Sequence, residues 1–220
     1  MQADDILHFW FHELKPAQHF AHDAALDSTI RTRFGTTLEA ATRCELDTWR
    51  TNAEGRLAEI LVLDQFSRNI HRGSPGAFAQ DAQALTLAQE MVAAGYDAAL
   101  APAQRAFVYI PYMHSESLAI HARAMVLFDL PGLENNLKFE IAHRDIIAGG
   151  KQRASALRQG FGQVVKKAVT APLRFQHHGE GRISSDVYGL DRVHLHSYLQ
   201  AHVNRLRRMH SRCAAASGRD

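Results

Sequence analysis

The sequence predicts an all-α protein, and three observations support this. Apolar residues recur at helical spacing, as at Leu26, Ile30 and Phe34, which fall one turn apart on a helix. Glycine and proline interrupt the apolar segments, as is typical of connections between helices. No segment alternates apolar and polar residues for more than a few positions. We therefore expect antiparallel helix pairs joined by short connections.

The N-terminal part predicts two helices that begin at aspartates. Asp4 or Asp5 can cap the first helix, because a short carboxylate side chain accepts hydrogen bonds from the first free backbone N–H groups. Pro16 ends this helix, since proline has no backbone N–H to donate. Asp23 begins the second helix, and Gly35 marks its expected end.

The next segments predict a short helix followed by a long one. Residues 38–42 form the short helix, and the long helix begins at Asp47 or Thr51 and runs to about Arg72. Residues 73–76 are glycine, serine, proline and glycine, a composition that forms turns. This turn separates the long helix from the rest of the body.

Three further helices complete the body of the chain. Gly95 closes the first of them, Pro102 is well placed as the first residue of the second, and Pro131 with Gly132 breaks the chain before the third. Their expected ranges are 77–94, 102–128 and 134–147.

Charge divides the chain near residue 149. Residues 1–149 carry 12 Lys and Arg against 19 Asp and Glu, whereas residues 150–220 carry 13 against 4. Such an asymmetry is typical of a folded body with a tail of different character. We therefore expect a helical domain over residues 1–148 and a basic, His- and Arg-rich segment over residues 149–220.

The basic segment predicts little order of its own. One short amphipathic helix can bury Leu199, Val203 and Leu206 on a single face, and we expect low order elsewhere beyond residue 149. The segment is either a solvated extension or a weak contact for an anionic surface. No aromatic-rich motif accompanies its charge, so we expect no specific nucleic-acid partner.

Length and composition exclude several classes of protein. With 220 residues, of which 46% are apolar and 22% charged, the chain can bury a core and is not disordered throughout. Segments without Asp, Glu, Lys or Arg, such as 106–115, are too short to span a membrane, and the acidic start does not resemble a signal peptide. Two cysteines fit a reducing compartment, so we expect a cytoplasmic protein.

Neither a metal nor a cofactor is predicted. His8 and His12 lie one helical turn apart, but no His-Glu-x-x-His or Cys-x-x-Cys pattern adds further ligands. The glycine-rich phosphate loop, the dinucleotide fingerprint and the serine-hydrolase elbow are also absent from the sequence. Nucleotide-binding and serine-hydrolase functions therefore lack their signatures.

The long helix carries charged residues although it is apolar on nearly every side. Asp64 and Arg68 are one turn apart and can pair, Arg72 lies one turn further on, and Asn69 adds an amide. Charges on a buried helix need partners, because an isolated ion in an apolar interior is costly. Two interpretations stay open: a structural salt bridge, or the floor of a pocket for an anionic or amide ligand.

A second polar face lies on the helix that begins at Pro102. Arg105, Tyr109, Tyr112 and Glu116 are spaced by 4, 3 and 4 residues and so share one face. A proline at position 111 removes one backbone donor, which predicts a kink or a break. We expect the arginine and the two tyrosines to contribute to ligand binding.

Two histidines near carboxylates are the candidate catalytic residues. His114 lies two positions before Glu116, and His143 lies two positions before Asp145. A histidine beside a carboxylate can act as an acid or a base near neutral pH. The alternative is that each is a core histidine held by a hydrogen bond.

These motifs also carry a resemblance to a known family. In order and spacing they resemble the bacterial family called domain of unknown function 924, over about residues 5–147. The resemblance implies an all-helical, tetratricopeptide-like stack of helical hairpins and implies no activity. The motifs are Phe9-Trp10-Phe11, Gly55-Arg56-Leu57-Ala58, Leu63-Asp64-Gln65-Phe66-Ser67-Arg68-Asn69-Ile70-His71-Arg72-Gly73, Ala77-Phe78 with Asp81 and Ala84-Leu85, Arg105 to Glu116, and His143-Arg144-Asp145-Ile146-Ile147.

The chain departs from the family pattern after Ile147. The family continues with a segment of the type Phe-Gly-Arg-Phe-Pro-His-Arg-Asn, whereas this chain continues with Ala-Gly-Gly-Lys-Gln-Arg. The charge reverses at the same point. We therefore expect residues from about 149 onward to differ from the family's C-terminus through a reading-frame change, a fusion or divergence.

Three functions stay open at this stage. The first, which the sequence favours, is binding of a small anionic ligand, a peptide or a partner protein in a polar pocket between helices. The second is a hydrolase-type enzyme with His114 or His143 as base and Arg68, Arg72 and Arg105 holding an anionic substrate. The third is a purely structural polar network. If the charged side chains converge on one site that solvent can reach, the binding function or the enzyme is favoured over the structural network. The sequence does not predict an oligomeric state.

Overall fold

The described part of the chain is all-α, as predicted. The computed structural model describes residues 1–159, with side chains up to residue 149. Within that range the backbone forms helices, turns and bends and no strand. The expectations of an amphipathic helix at 199–206 and of low order toward the C-terminus fall on residues outside those described.

The first helix, α1, spans Ala3–His8 and continues into a wider π-helical turn over Phe9–Glu13. Gln2 is its capping residue, and the Asp5 carboxylate accepts a hydrogen bond from the Gln2 N–H at 2.7 Å. The prediction that Asp4 or Asp5 caps the helix is therefore wrong, because the helix begins earlier and Asp5 acts from its first turn.

The second helix, α2, spans Ala24–Thr42 and begins where the sequence predicts. Asp23 caps it and accepts from the N–H groups of Ala25 and Leu26 at 2.8 and 3.1 Å. The predicted end at Gly35 and the separate helix at 38–42 are wrong. A mid-helix glycine costs only about 1 kcal/mol, and a continuous buried face, formed by Ile30, Phe34, Leu38 and Ala41, outweighs it.

The long central helix consists of α3 at Ala53–Leu61, a π-helical segment at Val62–Phe66 and α4 at Ser67–Ile70. A 3-10 turn, Asp47–Thr51, precedes it. The side chain of Asn52 caps α3 by accepting from the Gly55 N–H at 2.8 Å. The start predicted at Asp47 or Thr51 is therefore too early, because those residues form the 3-10 turn.

Within residues 1–159, four more helices follow the central one. Gly95, with a left-handed φ of 73°, ends the first, and Pro102 begins the second, as predicted. The segment 102–128 forms two helices rather than one, and the break predicted at Pro111 is found two residues later, where the chain turns after Met113. The helices are α5 at Asp81–Ala93, α6 at Pro102–Met113, α7 at Leu118–Phe128 and α8 at Glu134–Gln159.

The central helix is buried on all sides, which confirms the prediction from its apolar circumference. It packs against α1, α2, α5 and α6. Aromatic rings meet at one end, where Phe66 lies within about 6 Å of the rings of Phe9, Trp10 and Phe34. From Leu57 to Ile70 every residue except the partly exposed Arg68 is buried, so the Asp64 carboxylate is held inside the protein.

Within the described residues, no helix has both the length and the hydropathy needed to cross a lipid bilayer. The longest, α8, carries charged residues along its length.

Candidate functional site

Asp64 lies at the centre of the π-helical segment, with only 1% of its side chain exposed. One carboxylate oxygen, Oδ1, accepts hydrogen bonds from Arg68 Nη1 at 2.9 Å and from His114 Nδ1 at 2.7 Å. The other, Oδ2, accepts from the Gln65 amide. The wider turn of a π-helix shifts side chains out of ordinary helical register and often marks a functional position.

Arg68 joins a second carboxylate to the first. Its Nη1 atom lies 2.9 Å from Asp81 Oδ1 at the start of α5, and its guanidinium lies 5.6 Å from the centre of the Phe78 ring. We use the name Asp64 cluster for Asp64, Gln65, Arg68, Asp81 and His114. The cluster thus draws on the central helix, the N-terminus of α5 and the residue that follows α6.

The electrostatics of the cluster favour an ionised Asp64. Burial alone would raise the pKa of this carboxyl, but the charge of Arg68 and the charge and hydrogen bond of His114 outweigh burial, and the pKa falls to about 2. The two carboxylates and one guanidinium give the cluster a formal charge of −1 when the histidine is neutral. The guanidinium is therefore already balanced by this chain's own carboxylates.

We expect the ionisation of Asp64 to make the free energy of unfolding depend on pH at low pH. Its pKa is lower in the folded than in the unfolded chain, so its contribution is present above the unfolded value of 3.8 and is lost as the pH falls through about 2. The difference corresponds to about 2 kcal/mol. Urea unfolding between about pH 5 and about pH 2 should show a steeper loss for the natural chain than for Asp64→Asn. Equal slopes would contradict the low pKa.

Asn69 and Arg72 lie on the same helix but belong to a different cluster. Asp27 on α2 accepts hydrogen bonds from the Asn69 amide at 2.8 Å and from Arg72 Nε and Nη2 at 2.5 and 2.8 Å. This two-pronged pair is the strongest geometry for an arginine and a carboxylate. The two residues therefore tie the end of the central helix to α2, away from Asp64.

Arg105 and Tyr109 form a third cluster around Asp97. Arg105 donates to the backbone carbonyl of Asp97 at 2.9 Å and to those of Ala98 and Leu100 at 2.9 and 3.0 Å. The Tyr109 hydroxyl donates to the Asp97 carboxylate at 2.5 Å. Burial, followed by this hydrogen bond, raises the pKa of the Tyr109 hydroxyl. These contacts secure the 3-10 turn Tyr96–Ala99 against α6.

The remaining candidates are dispersed. Tyr112 is buried, and burial raises the pKa of its hydroxyl. Nδ1 of His143 bonds the carbonyl of Phe139 one turn earlier on α8 at 2.7 Å, and Asp145, with 62% of its side chain exposed, pairs with Arg144. Glu116 lies in the connection between α6 and α7. The structure therefore joins His114 to Asp64, whereas His143 bonds its own helix and Asp145 pairs with Arg144.

Sequence reasoning missed two fully buried polar residues, His121 on α7 and Glu140 on α8. Nδ1 of His121 lies 2.7 Å from Glu140 Oε1, and its Nε2 bonds the carbonyl of Ser115 at 2.8 Å. One signal was present, since Glu140 lies seven residues from both Leu133 and Ile147, at the spacing of one helix face. Among the side chains described, no three His, Cys, Asp or Glu residues are placed to hold a metal ion.

These features define an all-helical protein with an ionised carboxylate buried in its central helix. The chain belongs to the bacterial family of unknown function called domain of unknown function 924, whose model matches residues 6–150, and this confirms the resemblance. A protein of unknown function from Agrobacterium tumefaciens has a similar solved structure, with 34% identity, a TM-score of 0.66 and coverage of 76% of this chain and 96% of that one. No curated protein matches the chain.

Proposed function

We propose that the chain binds a small ligand or a peptide at the Asp64 cluster. The observation that carries the proposal is the sharing of one buried carboxylate oxygen by Arg68 and His114. Around that buried centre, 13% of the Arg68 side chain and 18% of the Asp81 side chain remain exposed. A fixed set of charged and imidazole groups with an exposed edge is what a binding site needs to orient a ligand.

The charge balance favours an amide- or amine-bearing ligand over an anion. Arg68 contacts both Asp64 and Asp81. These two carboxylates neutralise its charge, so it attracts an external anion only weakly. Carboxylate oxygens at the exposed edge can accept hydrogen bonds from an N–H donor. An amino or amide group, as in a peptide or an amino-acid derivative, therefore fits the cluster better than a phosphate or a free carboxylate.

The Asp64–His114 bond also supports a second candidate, a hydrolase-type enzyme with His114 as base. A carboxylate that holds a histidine in one orientation is the usual support for a general base. Asp64 is ionised and bonds the histidine at 2.7 Å. In this proposal the ligand of the cluster is the substrate, and Arg68 and Asp81 hold it.

The clusters around Asp27 and Asp97 support a structural role rather than a binding role. Each pairs its arginine with groups of this chain that lie on a neighbouring element. Arginines in two-pronged pairs or carbonyl cages fix the packing of helices. The binding site that we propose therefore does not include Arg72 and Arg105, nor Asn69 and Tyr109, which the sequence places in the ligand-binding set.

A thermal-shift screen of the full chain tests the proposal. We expect amines, amides and short peptides to raise the melting temperature more than carboxylates and phosphates do. The shift from a positive compound should shrink in Asp81→Asn and His114→Gln, because these changes remove a charge or an imidazole from the cluster with little change in volume. Asp145→Asn, an exposed aspartate on α8, is the matched control and should keep the full shift.

Two outcomes of the screen would contradict the proposal. One is a set of positive compounds whose shifts are the same in the cluster variants and in the control. The other is the absence of any shift from amines, amides or peptides. If compounds bind and the chain then releases hydrolysis products that His114→Gln does not release, the hydrolase candidate is the correct one.

Two finer features are also proposed. The helices α6, α7 and α8 pack consecutively, which supports a tetratricopeptide-like stack of hairpins. The single cysteine among the side chains described, Cys44, is a free thiol at the surface, which supports a reducing, cytoplasmic location.

A further inference from the structure

Two histidine–carboxylate pairs hold the connection between α6 and α7. His114, its first residue, bonds Asp64 of the central helix at 2.7 Å. The carbonyl of Ser115, the next residue, accepts from His121 Nε2 at 2.8 Å, and His121 Nδ1 lies 2.7 Å from Glu140 on α8. Of two neighbouring residues in this connection, His114 is therefore bonded to the central helix, and Ser115 is bonded to α7 and, through His121, linked to α8.

Stability alone does not account for the pair of His121 and Glu140. Both side chains are fully buried, and Oε2 of Glu140 has no hydrogen-bond partner among the described residues. A buried ionic pair with an unsatisfied oxygen stabilises a fold no better than well-packed apolar side chains of similar volume. The pair is explained if it holds another part of the chain in position.

The hydrogen bonds fix the orientation of His121. A carbonyl oxygen can only accept, so Nε2 carries a hydrogen that it donates to Ser115. The 2.7 Å contact between Nδ1 and the carboxylate then requires a second proton, on His121 or on Glu140, because two acceptors at that distance would repel. The ring therefore cannot flip without breaking both of these hydrogen bonds.

We propose that His121 and Glu140 are positioning residues for the Asp64 cluster. Acting through the Ser115 carbonyl, they hold the backbone so that His114 reaches Asp64. Without them the bond to Ser115 is lost, and His114 gains freedom because it is the preceding residue. The inference rests on the proposed function, in which the Asp64 cluster binds a ligand, but its test requires no ligand.

The test follows the Nδ1 proton of His114 by NMR of the full chain with isotope-labelled histidine. Glu140→Leu removes the carboxylate with little change in volume and should speed exchange of this proton with water about tenfold. Glu140→Gln should keep the exchange rate within about twofold of the natural chain, because the Gln amide can donate to Nδ1 of a neutral His121 that still donates to Ser115. Asp145→Ala, on the same helix but exposed, is the control and should change nothing.

The proposal is overturned if a folded Glu140→Leu variant leaves the His114 proton unchanged, or if Glu140→Gln fails to restore it. Should Glu140→Leu not fold, His121→Phe gives the same test, since it retains a ring and deletes both hydrogen bonds. Unfolding of both variants would assign the pair a purely structural role and would also overturn the proposal. The ligand screen decides the proposed function separately.

Discussion

Replacing Arg68 with alanine is expected to lower the free energy of unfolding by about 3–5 kcal/mol. The reason is that Asp64 would remain buried after losing the charge that most lowers its pKa. Asp81 would lose its 2.9 Å contact with the same guanidinium. Urea denaturation of the natural chain and of Arg68→Ala measures the difference.

The matched control for Arg68→Ala is Arg144→Ala. Arg144 also pairs with an aspartate, Asp145, but 37% and 62% of the two side chains are exposed. An exposed pair of this kind contributes about 0–1 kcal/mol. If the loss at Arg68 were as small as the loss at Arg144, the Asp64 cluster would have to be open to water, contrary to the structure.

Replacing Phe66 with alanine is expected to cost about 3–5 kcal/mol as well, but for a different reason. Phe66 is fully buried, and its ring lies 5.0 Å from that of Phe34 and 5.7 Å from that of Trp10, between centroids. Removing it leaves a cavity among large rings of α2 and of the π-helical turn after α1, and this cavity cannot collapse easily. The measurement is again the free energy of unfolding in urea.

Phe20→Ala provides the comparison for this core substitution. Its ring also stacks on an aromatic neighbour, Phe107 at 5.9 Å, but 43% of the residue is exposed. We expect a loss of about 1 kcal/mol or less, because a large part of the residue already contacts water in the folded chain. Similar losses in the two variants would argue against a core centred on the central helix.

The sequence is sufficient for features that depend on local spacing. The apolar circumference of the central helix predicts its burial, and the one-turn spacing of Asp64 and Arg68 predicts their pair. The caps and breakers at Asp23, Gly95 and Pro102 are also found where they are predicted. Each of these depends on residues within a few positions of one another, which sequence periodicity describes well.

Local spacing does not predict which side chains on other helices a residue contacts. Spacing places Arg105 and Tyr109 on one face of α6, but it does not reveal that this face meets the turn that holds Asp97. Likewise, Arg72 follows Asp64 and Arg68 at one-turn spacing, but it bonds Asp27, which lies 45 positions earlier. Such contacts depend on how helices pack, and several side chains of the predicted ligand set are engaged by them.

The origin of residues 150–220 stays a prediction. The family match ends at residue 150, close to the point where the charge reverses in the sequence, whereas the backbone of α8 runs on to Gln159. Translation of the encoding DNA in the other two reading frames would reveal whether the family's usual continuation is present there.

A buried, ionised Asp64 holds Arg68 and His114 together in one cluster. The most direct measurement is the titration of the Asp64 carboxyl carbon by NMR in the full chain. We expect a midpoint near pH 2 and a clear rise in that midpoint in His114→Gln, because part of the lowering of the pKa comes from the histidine. A midpoint at or above 3.8, the ordinary value of an aspartate, would contradict the account.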